Sequence, residues 1–303
     1  MKGKIKFEGI MPALITPLCD DESINVDVLE KMLSGLLDEG ADGFYIAGAT
    51  GEGLALRPAE RRVLAETAIK AVAHRKPCIV QVTSTDFSEA IALAKHAEAV
   101  GADAISATPP LFFGYSADEV YEYYKALASA VHIPLMIYYN PNAGFSMNAS
   151  FAARCFEVDN ITSIKWTSSD YYEMMELKRL TSGEMNIING PDQMLLMGLN
   201  AGAEGGIGTN YSYMMPYFKG LYNSFKAGKT EEAYAYQLKI TKAVTELIKH
   251  PFLPAAKVMM EAKGYAVGNA TFPMTRFDKE EKKRIVSHAI NAGVPGLDIS
   301  LFD

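Results

Sequence analysis

Cysteine is scarce in this chain of 303 residues, and its three copies lie far apart. Cys19, Cys78 and Cys155 form no CxxC pair and no spacing that is typical of a metal site. An odd number of scattered cysteines also argues against a disulfide framework. We therefore expect three reduced thiols, as in a cytoplasmic protein.

Long apolar runs and basic clusters are missing too. No apolar run approaches the roughly 18 residues that a membrane-spanning helix needs. Lysine and arginine number 29 against 36 aspartates and glutamates, so the net charge is −7 and binding to nucleic acid or to an anionic membrane is not expected. Pro12 and Pro17 interrupt the apolar stretch near the N-terminus, which makes a poor signal peptide and favours a cytoplasmic location.

The motifs of several enzyme classes are absent. The chain contains no HExxH, no GxSxG, no Walker loop and no dinucleotide-binding glycine pattern. The histidines do not cluster, and we interpret all five as surface or packing residues: His74, His96, His132, His250 and His288. These absences argue against a metalloprotease, a serine hydrolase and a nucleotide-binding enzyme, and no metal site is expected.

What the chain does contain is a regular alternation of short apolar runs and amphipathic stretches. The runs predict strands at 10–15, 43–48, 78–83, 104–108, 134–139, 161–166, 185–189 and 205–209. The stretches between them predict helices, among them 26–39, 58–73, 87–100, 117–130 and 170–181. Continuous apolar runs are typical of parallel strands that are buried on both faces. Eight such units favour an α/β fold, a closed (β/α)₈ barrel, over an open sheet.

The strand pattern stops after about residue 227. Three further segments, 230–249, 252–263 and 278–291, have the pattern of helices. We therefore expect a barrel over residues 1–228 and a C-terminal helical extension, or cap, over residues 229–303. No low-complexity linker separates the two parts.

One lysine ends a predicted strand. Lys165 follows the apolar, β-branched run that begins at Ile161. In a (β/α)₈ barrel the carboxyl ends of the strands form the catalytic face. An amine held there loses hydration, and its neutral form can attack a ketone. Trp166 follows Lys165 and favours this interpretation over that of an ordinary solvated lysine.

Other predicted strand ends carry candidate binding groups. Ala47–Gly53 is rich in glycine, so its backbone can approach an anion and present free N–H groups, and Thr50 adds a hydroxyl. Tyr138 could carry a proton or could simply fill the mouth of the barrel. Asp192 could bind a polyol, or it could cap the next helix. The glycines of Gly205–Thr209 also permit close approach of a ligand.

Together these pieces resemble a known family. They are Gly48–Glu52 (GATGE), Tyr138 after an apolar strand, Ile164–Ser168 (IKWTS), Asn189–Asp192 (NGPD) and Gly205–Gly208 (GGIG). Over about residues 8–290 the chain resembles the pyruvate-dependent class I aldolases that include N-acetylneuraminate lyase and dihydrodipicolinate synthase. The details are closest to the neuraminate lyase branch, in which a Lys-x-Thr-Ser segment replaces the Lys-Glu-Ala of the synthases.

The resemblance implies a fold, an assembly and a set of site residues. It implies a TIM barrel, a homotetramer, and a Schiff base formed between Lys165 and a 2-oxo acid, with Tyr138 as the proton carrier. It implies no metal and no dissociable cofactor, because the iminium on Lys165 is the electrophile. The substrate-binding residues that it implies are Ala49, Thr50, Gly51, Thr167, Gly190, Asp192, Gln193, Gly208 and Thr209. The implied substrate is N-acetylneuraminate, which is cleaved to pyruvate and N-acetylmannosamine.

Several departures from the family pattern keep alternatives open. Ala49 replaces a serine, Phe112 and Phe113 stand where many members have a tyrosine relay, and Gln193 and Thr209 replace the glutamate and serine of the lyase. A 2-keto-3-deoxy sugar acid aldolase is therefore an alternative. Dihydrodipicolinate synthase is another, although 142–144 lacks the arginine of that branch. A pyruvate-binding protein without catalytic activity is the third.

Overall fold

The computed structural model describes residues 6–303, and its first two hundred residues alternate between strands and helices. The strands are β1 Gly9–Pro12, β2 Phe44–Ile46, β3 Cys78–Gln81, β4 Ala104–Ala107, β5 Leu135–Tyr139, β6 Ile161–Trp166, β7 Asn186–Asn189 and β8 Gly205–Gly208. The helices among and after them are α1 Val26–Asp38, α2 Pro58–Val72, α3 Phe87–Ala99, α4 Ala117–Ser129, α5 Ala149–Phe156, α6 Tyr171–Leu180, α7 Leu195–Asn200 and α8 Tyr211–Lys226. Every predicted strand is present, although most are one to three residues shorter than expected.

The eight strands are parallel and form a barrel. Their order is β1-β8-β7-β6-β5-β4-β3-β2, and a parallel bridge between Ala13 and Tyr45 connects the two ends of this sheet. The backbone N–H of Leu14 donates to the carbonyl of Tyr45 at 2.9 Å on the same seam. The predicted (β/α)₈ barrel is confirmed.

Side chains of the strands alternate between the barrel interior and the surrounding helices, as the pleat requires. An inner cluster that includes Met11, Tyr45, Met136 and Tyr138 fills the barrel. A larger outer cluster joins the other faces of the strands to the helices, and Trp166 belongs to it. The interior is therefore a packed core, and a site can form only at its ends.

Three more helices follow the barrel: α9 Thr230–Leu247, α10 Phe252–Ala262 and α11 Lys279–Ala292. Short 3₁₀ helices lie at Asp192–Met194 and Ile299–Phe302. Helix α9 packs on α8 and α11, and α10 packs on α11. The predicted C-terminal helices are confirmed, whereas the division into folding units at residue 228 stays a prediction.

None of the helices within residues 6–303 combines the length and the apolar character needed to cross a membrane.

Candidate active site

A cavity of about 640 Å³ opens at the carboxyl ends of the strands. Barrel residues and loop residues line it on one side: Ala13, Ala49, Thr50, Tyr138, Asn140, Pro141, Asn142, Lys165, Thr167, Ser168, Ser169, Gly190, Pro191, Asp192, Gln193, Met194, Ile207, Gly208, Thr209 and Asn210. Residues of α9 and α10 and of the turn between these helices line the other side: Val244, Ile248, Phe252 and Leu253. Apart from Gly51, every site residue named from the sequence lines this cavity.

Lys165 and Tyr138 are neighbours because β5 and β6 pair in register at these two residues. Each side chain is only 5% exposed, and Lys165 Nζ lies 4.2 Å from the centre of the Tyr138 ring. Tyr139 and Trp166, the next pair in the register, face outward with ring centres 4.7 Å apart. This outer contact fixes the strand pair that carries the lysine and the phenol.

The lysine nitrogen has no anionic partner in direct contact. Within residues 6–303 no carboxylate forms an ion pair with Lys165 and no group hydrogen-bonds to its Nζ. No ion pair or hydrogen bond therefore keeps the Nζ atom from contact with a carbonyl carbon.

The glycine-rich loop after β2 presents free donors. The backbone N–H groups of Ala49, Thr50 and Gly51 donate no hydrogen bond to any residue of the described chain. The hydroxyls of Thr50 and Thr209 are 2.6 Å apart, and this contact joins the loop to the end of β8. Gly51 is not among the residues that line the cavity, and its carbonyl accepts a hydrogen bond from Thr16, so its role in substrate binding stays a prediction.

A buried ion pair anchors this loop to the cap. Glu52 and Lys257 are 3% and 2% exposed, and their charged atoms are 2.8 Å apart. The other Glu52 oxygen accepts from the Thr271 N–H at 2.6 Å, and Lys257 also donates to the carbonyl of Asn269. Burial lowers the pKa of Lys257 against the attraction of Glu52. The pair therefore depends on both partners being present.

Lys257→Met should lower the free energy of unfolding by on the order of 3 kcal/mol, because Glu52 would keep a buried charge with no counter-ion. Urea denaturation of the variant measures this loss. Lys249→Met is the matched control, since Lys249 pairs with Glu246 on the surface, and its cost should stay below about 1 kcal/mol. An equal, small effect in both variants would contradict the anchoring role.

Asp192 occupies the cavity wall but does not cap the helix that follows it. Its carboxylate accepts from the backbone N–H and the side-chain Nδ2 of Asn210, each at 2.7 Å. Asn210 in turn accepts from the hydroxyl of Tyr213. Burial raises the pKa of Asp192, while the Asn210 hydrogen bonds and the charge of Lys165 oppose this rise. The side chain therefore connects β8 to the 3₁₀ helix at Asp192–Met194, and its role as a helix cap was a wrong expectation.

Thr167 offers an unused hydroxyl. Its Oγ1 is buried and has no hydrogen-bond partner among residues 6–303, while its backbone N–H donates to Tyr139. Gly190 and Gly208 permit this tight packing, because a Cβ at either residue would lie 2.0 to 2.2 Å from Thr167 or Asp192. A buried, unpaired hydroxyl beside the cavity is ready to bind a polar ligand.

Comparison with known proteins places this geometry in a family. The model of the dihydrodipicolinate synthetase family matches residues 6–292. The chain belongs to this family. An N-acetylneuraminate lyase of Rhizobium meliloti is 30% identical over 277 residues, which cover 91% of this chain and 92% of the relative. A 4-hydroxy-tetrahydrodipicolinate synthase of Oceanobacillus iheyensis is 27% identical and covers 93% of this chain and 96% of its own length.

Solved structures give the same assignment. The N-acetylneuraminate lyase of Proteus mirabilis superposes with a TM-score of 0.91 at 26% identity and covers 96% of this chain and 100% of its own. A putative dihydrodipicolinate synthetase of Pseudomonas aeruginosa has a TM-score of 0.89 at 27% identity, with 94% and 99% covered. The expected family and enzyme class are confirmed: the protein is a pyruvate-dependent lyase of the class I aldolase type.

The structure places Phe112 and Phe113 outside the cavity and adds residues that the sequence did not indicate. Phe112 and Phe113 do not enter the cavity of their own chain, since they are 91% and 65% exposed on the loop after β4. The apolar cap residues, which include Phe252, and the inward-facing Tyr45 were not identified from the sequence. Period-two alternation along β2 places Tyr45 on the inner face and could have indicated it.

Proposed function

We propose that the protein is a Schiff-base aldolase that cleaves N-acetylneuraminate to pyruvate and N-acetylmannosamine. The observation that carries this proposal is the buried lysine nitrogen over the ring of Tyr138, at the base of a cavity lined with hydroxyl and amide groups. The relatives include both lyases and synthases, so the substrate has to be argued from the cavity.

In the proposed reaction the neutral Lys165 amine attacks the C2 ketone of the open-chain substrate, and loss of water gives an iminium. Beside the cationic iminium the Tyr138 phenol releases its proton to solvent and becomes a phenolate. The phenolate then accepts the proton of the C4 hydroxyl while the C3–C4 bond breaks and its electron pair enters the iminium. The products at this point are an aldehyde and an enamine. Protonation of the enamine at C3 and addition of water then release pyruvate and restore the amine.

The charge on the nitrogen assists the proton transfer. An iminium at the Nζ position, 4.2 Å from the ring centre, would stabilise negative charge that develops on the Tyr138 oxygen. The substrate carboxylate would lie at the loop after β2, against the hydroxyl of Thr50 and the unused N–H groups of Ala49 and Thr50. Thr167, Asp192, Gln193 and Thr209 would contact the polyol tail, with Gly190 and Gly208 leaving room for it.

The cavity is lined by both polar and apolar residues, and this combination supports the choice of substrate. Hydroxyl and amide side chains, including Thr167, Ser168 and Gln193, line one side, whereas Ile248, Phe252 and other apolar residues line the other. N-acetylneuraminate carries both a polyol and an acetyl methyl group. A 2-keto-3-deoxy sugar acid carries hydroxyls only, so it would leave the apolar wall without a partner.

The synthase reaction has less support. Of the residues that line the cavity in the described chain, Lys165 alone is cationic, and 142–144 reads Asn-Ala-Gly. A dicarboxylic product would lack the charge-assisted contact that an arginine provides. A pyruvate-binding protein without turnover would have no need of Tyr138 beside the lysine.

The assignment can be tested by measuring pyruvate release. N-acetylneuraminate and 2-keto-3-deoxygluconate are supplied separately, consumption of aspartate semialdehyde with pyruvate is followed in parallel, and Lys165→Ala is the blank. Efficient cleavage of N-acetylneuraminate alone is expected. Preferred cleavage of 2-keto-3-deoxygluconate would instead indicate a 2-keto-3-deoxy sugar acid aldolase. Consumption of aspartate semialdehyde would indicate a dihydrodipicolinate synthase.

Thr50→Val should raise KM for the 2-oxo acid about tenfold and leave kcat nearly unchanged, because it removes one hydrogen bond to the substrate carboxylate. Thr50→Ser keeps the hydroxyl and serves as the control, with KM expected near that of the wild type. Steady-state kinetics on both variants measures kcat and KM for the 2-oxo acid. An equal rise in KM for serine and valine would assign the effect to packing against Thr209.

The assembly and the location are further parts of the proposal. A homotetramer is supported by the family and by Phe112 and Phe113, whose exposure suits contact with another subunit. Light scattering at several concentrations measures the assembly, and a monomer throughout would contradict it. The unpaired cysteines suit a cytoplasmic location.

A further inference from the structure

Tyr45 shares the surroundings of the lysine nitrogen with Tyr138. Lys165 Nζ lies over the Tyr45 ring, 4.6 Å from its centre, and over the Tyr138 ring, 4.2 Å from that centre. The two rings meet edge to face, with centres 5.9 Å apart and planes at 79°. The nitrogen therefore has aromatic faces on two sides, both within the range of a cation–π contact.

The catalytic cycle creates a positive charge at this nitrogen, and the charge needs a partner. Each Schiff base is a cation at a side chain that is 5% exposed, where a charge without compensation is costly. Asp192 is the carboxylate that senses the lysine charge, but both of its oxygens are already bound by Asn210. The two tyrosine rings are thus the nearest source of stabilisation.

Tyr45 is held in place and is not suited to proton transfer. The residue is fully buried, and its hydroxyl donates to the Ser106 hydroxyl at 2.9 Å. Burial raises the pKa of this phenol well above its ordinary value, so the side chain stays neutral. A Cβ at Gly48 would lie 2.5 Å from the Tyr45 ring. Glycine at this position therefore lets the ring pack against the glycine-rich loop after β2.

We infer that Tyr45 is a third member of the lysine site, whose ring face stabilises the cationic imine on Lys165 without exchanging a proton. The inference rests on the proposed Schiff-base function. It predicts that the electron density of the ring matters, whereas the hydroxyl contributes little beyond its contact with Ser106.

The test compares rings of the same shape. Pyruvate is titrated into the protein, the imine is reduced with borohydride, and the fraction of modified chain is read by intact mass. Tyr45→Phe should bind pyruvate covalently within about twofold of the wild type. Replacement of Tyr45 by a ring-trifluorinated phenylalanine, which keeps the shape but withdraws electron density, should weaken covalent binding about 3- to 10-fold, and Tyr45→Leu up to about 30-fold.

The controls distinguish a failure of the Tyr45 inference from a failure of the proposed Schiff-base function. The same fluorinated residue at Tyr124, a buried tyrosine of the outer cluster whose ring makes no contact with Lys165 Nζ, should leave trapping unchanged. Equal trapping by the phenylalanine and the fluorinated variants at Tyr45 would overturn the inference, because the ring would then only fill space beneath Gly48. Absence of trapping in the wild type would instead overturn the proposed Schiff-base function.

Discussion

Lys165→Ala is expected to abolish pyruvate release, with a loss on the order of 10⁴-fold or more. The lysine supplies the covalent bond on which every later step depends, so no neighbouring group can replace it by proton transfer alone. The cavity contains no second amine among the residues that the structure describes. Turnover of the sugar acid, followed as pyruvate formed, measures the effect.

The variant should remain folded, which makes its loss of activity easy to interpret. Lys165 makes no ion pair or hydrogen bond within residues 6–303, so its removal leaves no buried partner unsatisfied. Lys165→Arg is the matched control, because a guanidinium keeps the charge but is always protonated and cannot attack the ketone. Both variants should be inactive with melting temperatures near that of the wild type. Activity in either one would end the Schiff-base proposal.

Tyr138→Phe should lower kcat by roughly 10² to 10⁴, the usual consequence of losing an acid–base group. The substitution keeps the ring that contacts Lys165 Nζ and Tyr45 and removes only the hydroxyl. Covalent trapping of pyruvate should therefore persist while cleavage of the sugar acid falls. Steady-state kinetics and trapping on the same preparation measure the two effects separately.

Tyr139→Phe is the control for this substitution. Tyr139 is the next residue of β5, equally buried, and faces outward against Trp166. Its kcat should stay within about twofold of the wild type, since a change away from the reacting atoms leaves proton transfer intact. Equal losses at Tyr138 and Tyr139 would indicate damage to the strand and contradict the proton-transfer role.

The fold could be predicted because its signals are local. Continuous apolar runs such as Leu135–Tyr139 and Ile161–Trp166 are typical of parallel strands, and amphipathic helices lie between such strands. The position of Lys165 and Tyr138 at the catalytic face followed from the same pattern. The structure adds that Tyr138 and Lys165 are paired in register on adjacent strands. The spacing of residues in the sequence does not reveal this register.

The rest of the site depends on contacts across the barrel. The pairing of Asp192 with Asn210 joins β8 to the segment after β7, and nothing near Asp192 in the sequence indicates it. The approach of Tyr45 to Lys165 requires the curvature of a closed sheet. Phe252 reaches the cavity only because α10 packs over the barrel mouth. These contacts follow from tertiary packing, so local patterns could not reveal them.

Borohydride trapping tests whether Lys165 forms a covalent imine with pyruvate. The wild-type protein is incubated with pyruvate, reduced with borohydride, digested and mapped by mass spectrometry. A single reduced pyruvate adduct is expected on the peptide that carries Lys165, and none in Lys165→Ala. Absence of an adduct, or an adduct on another lysine such as the buried Lys257, would contradict an imine at Lys165.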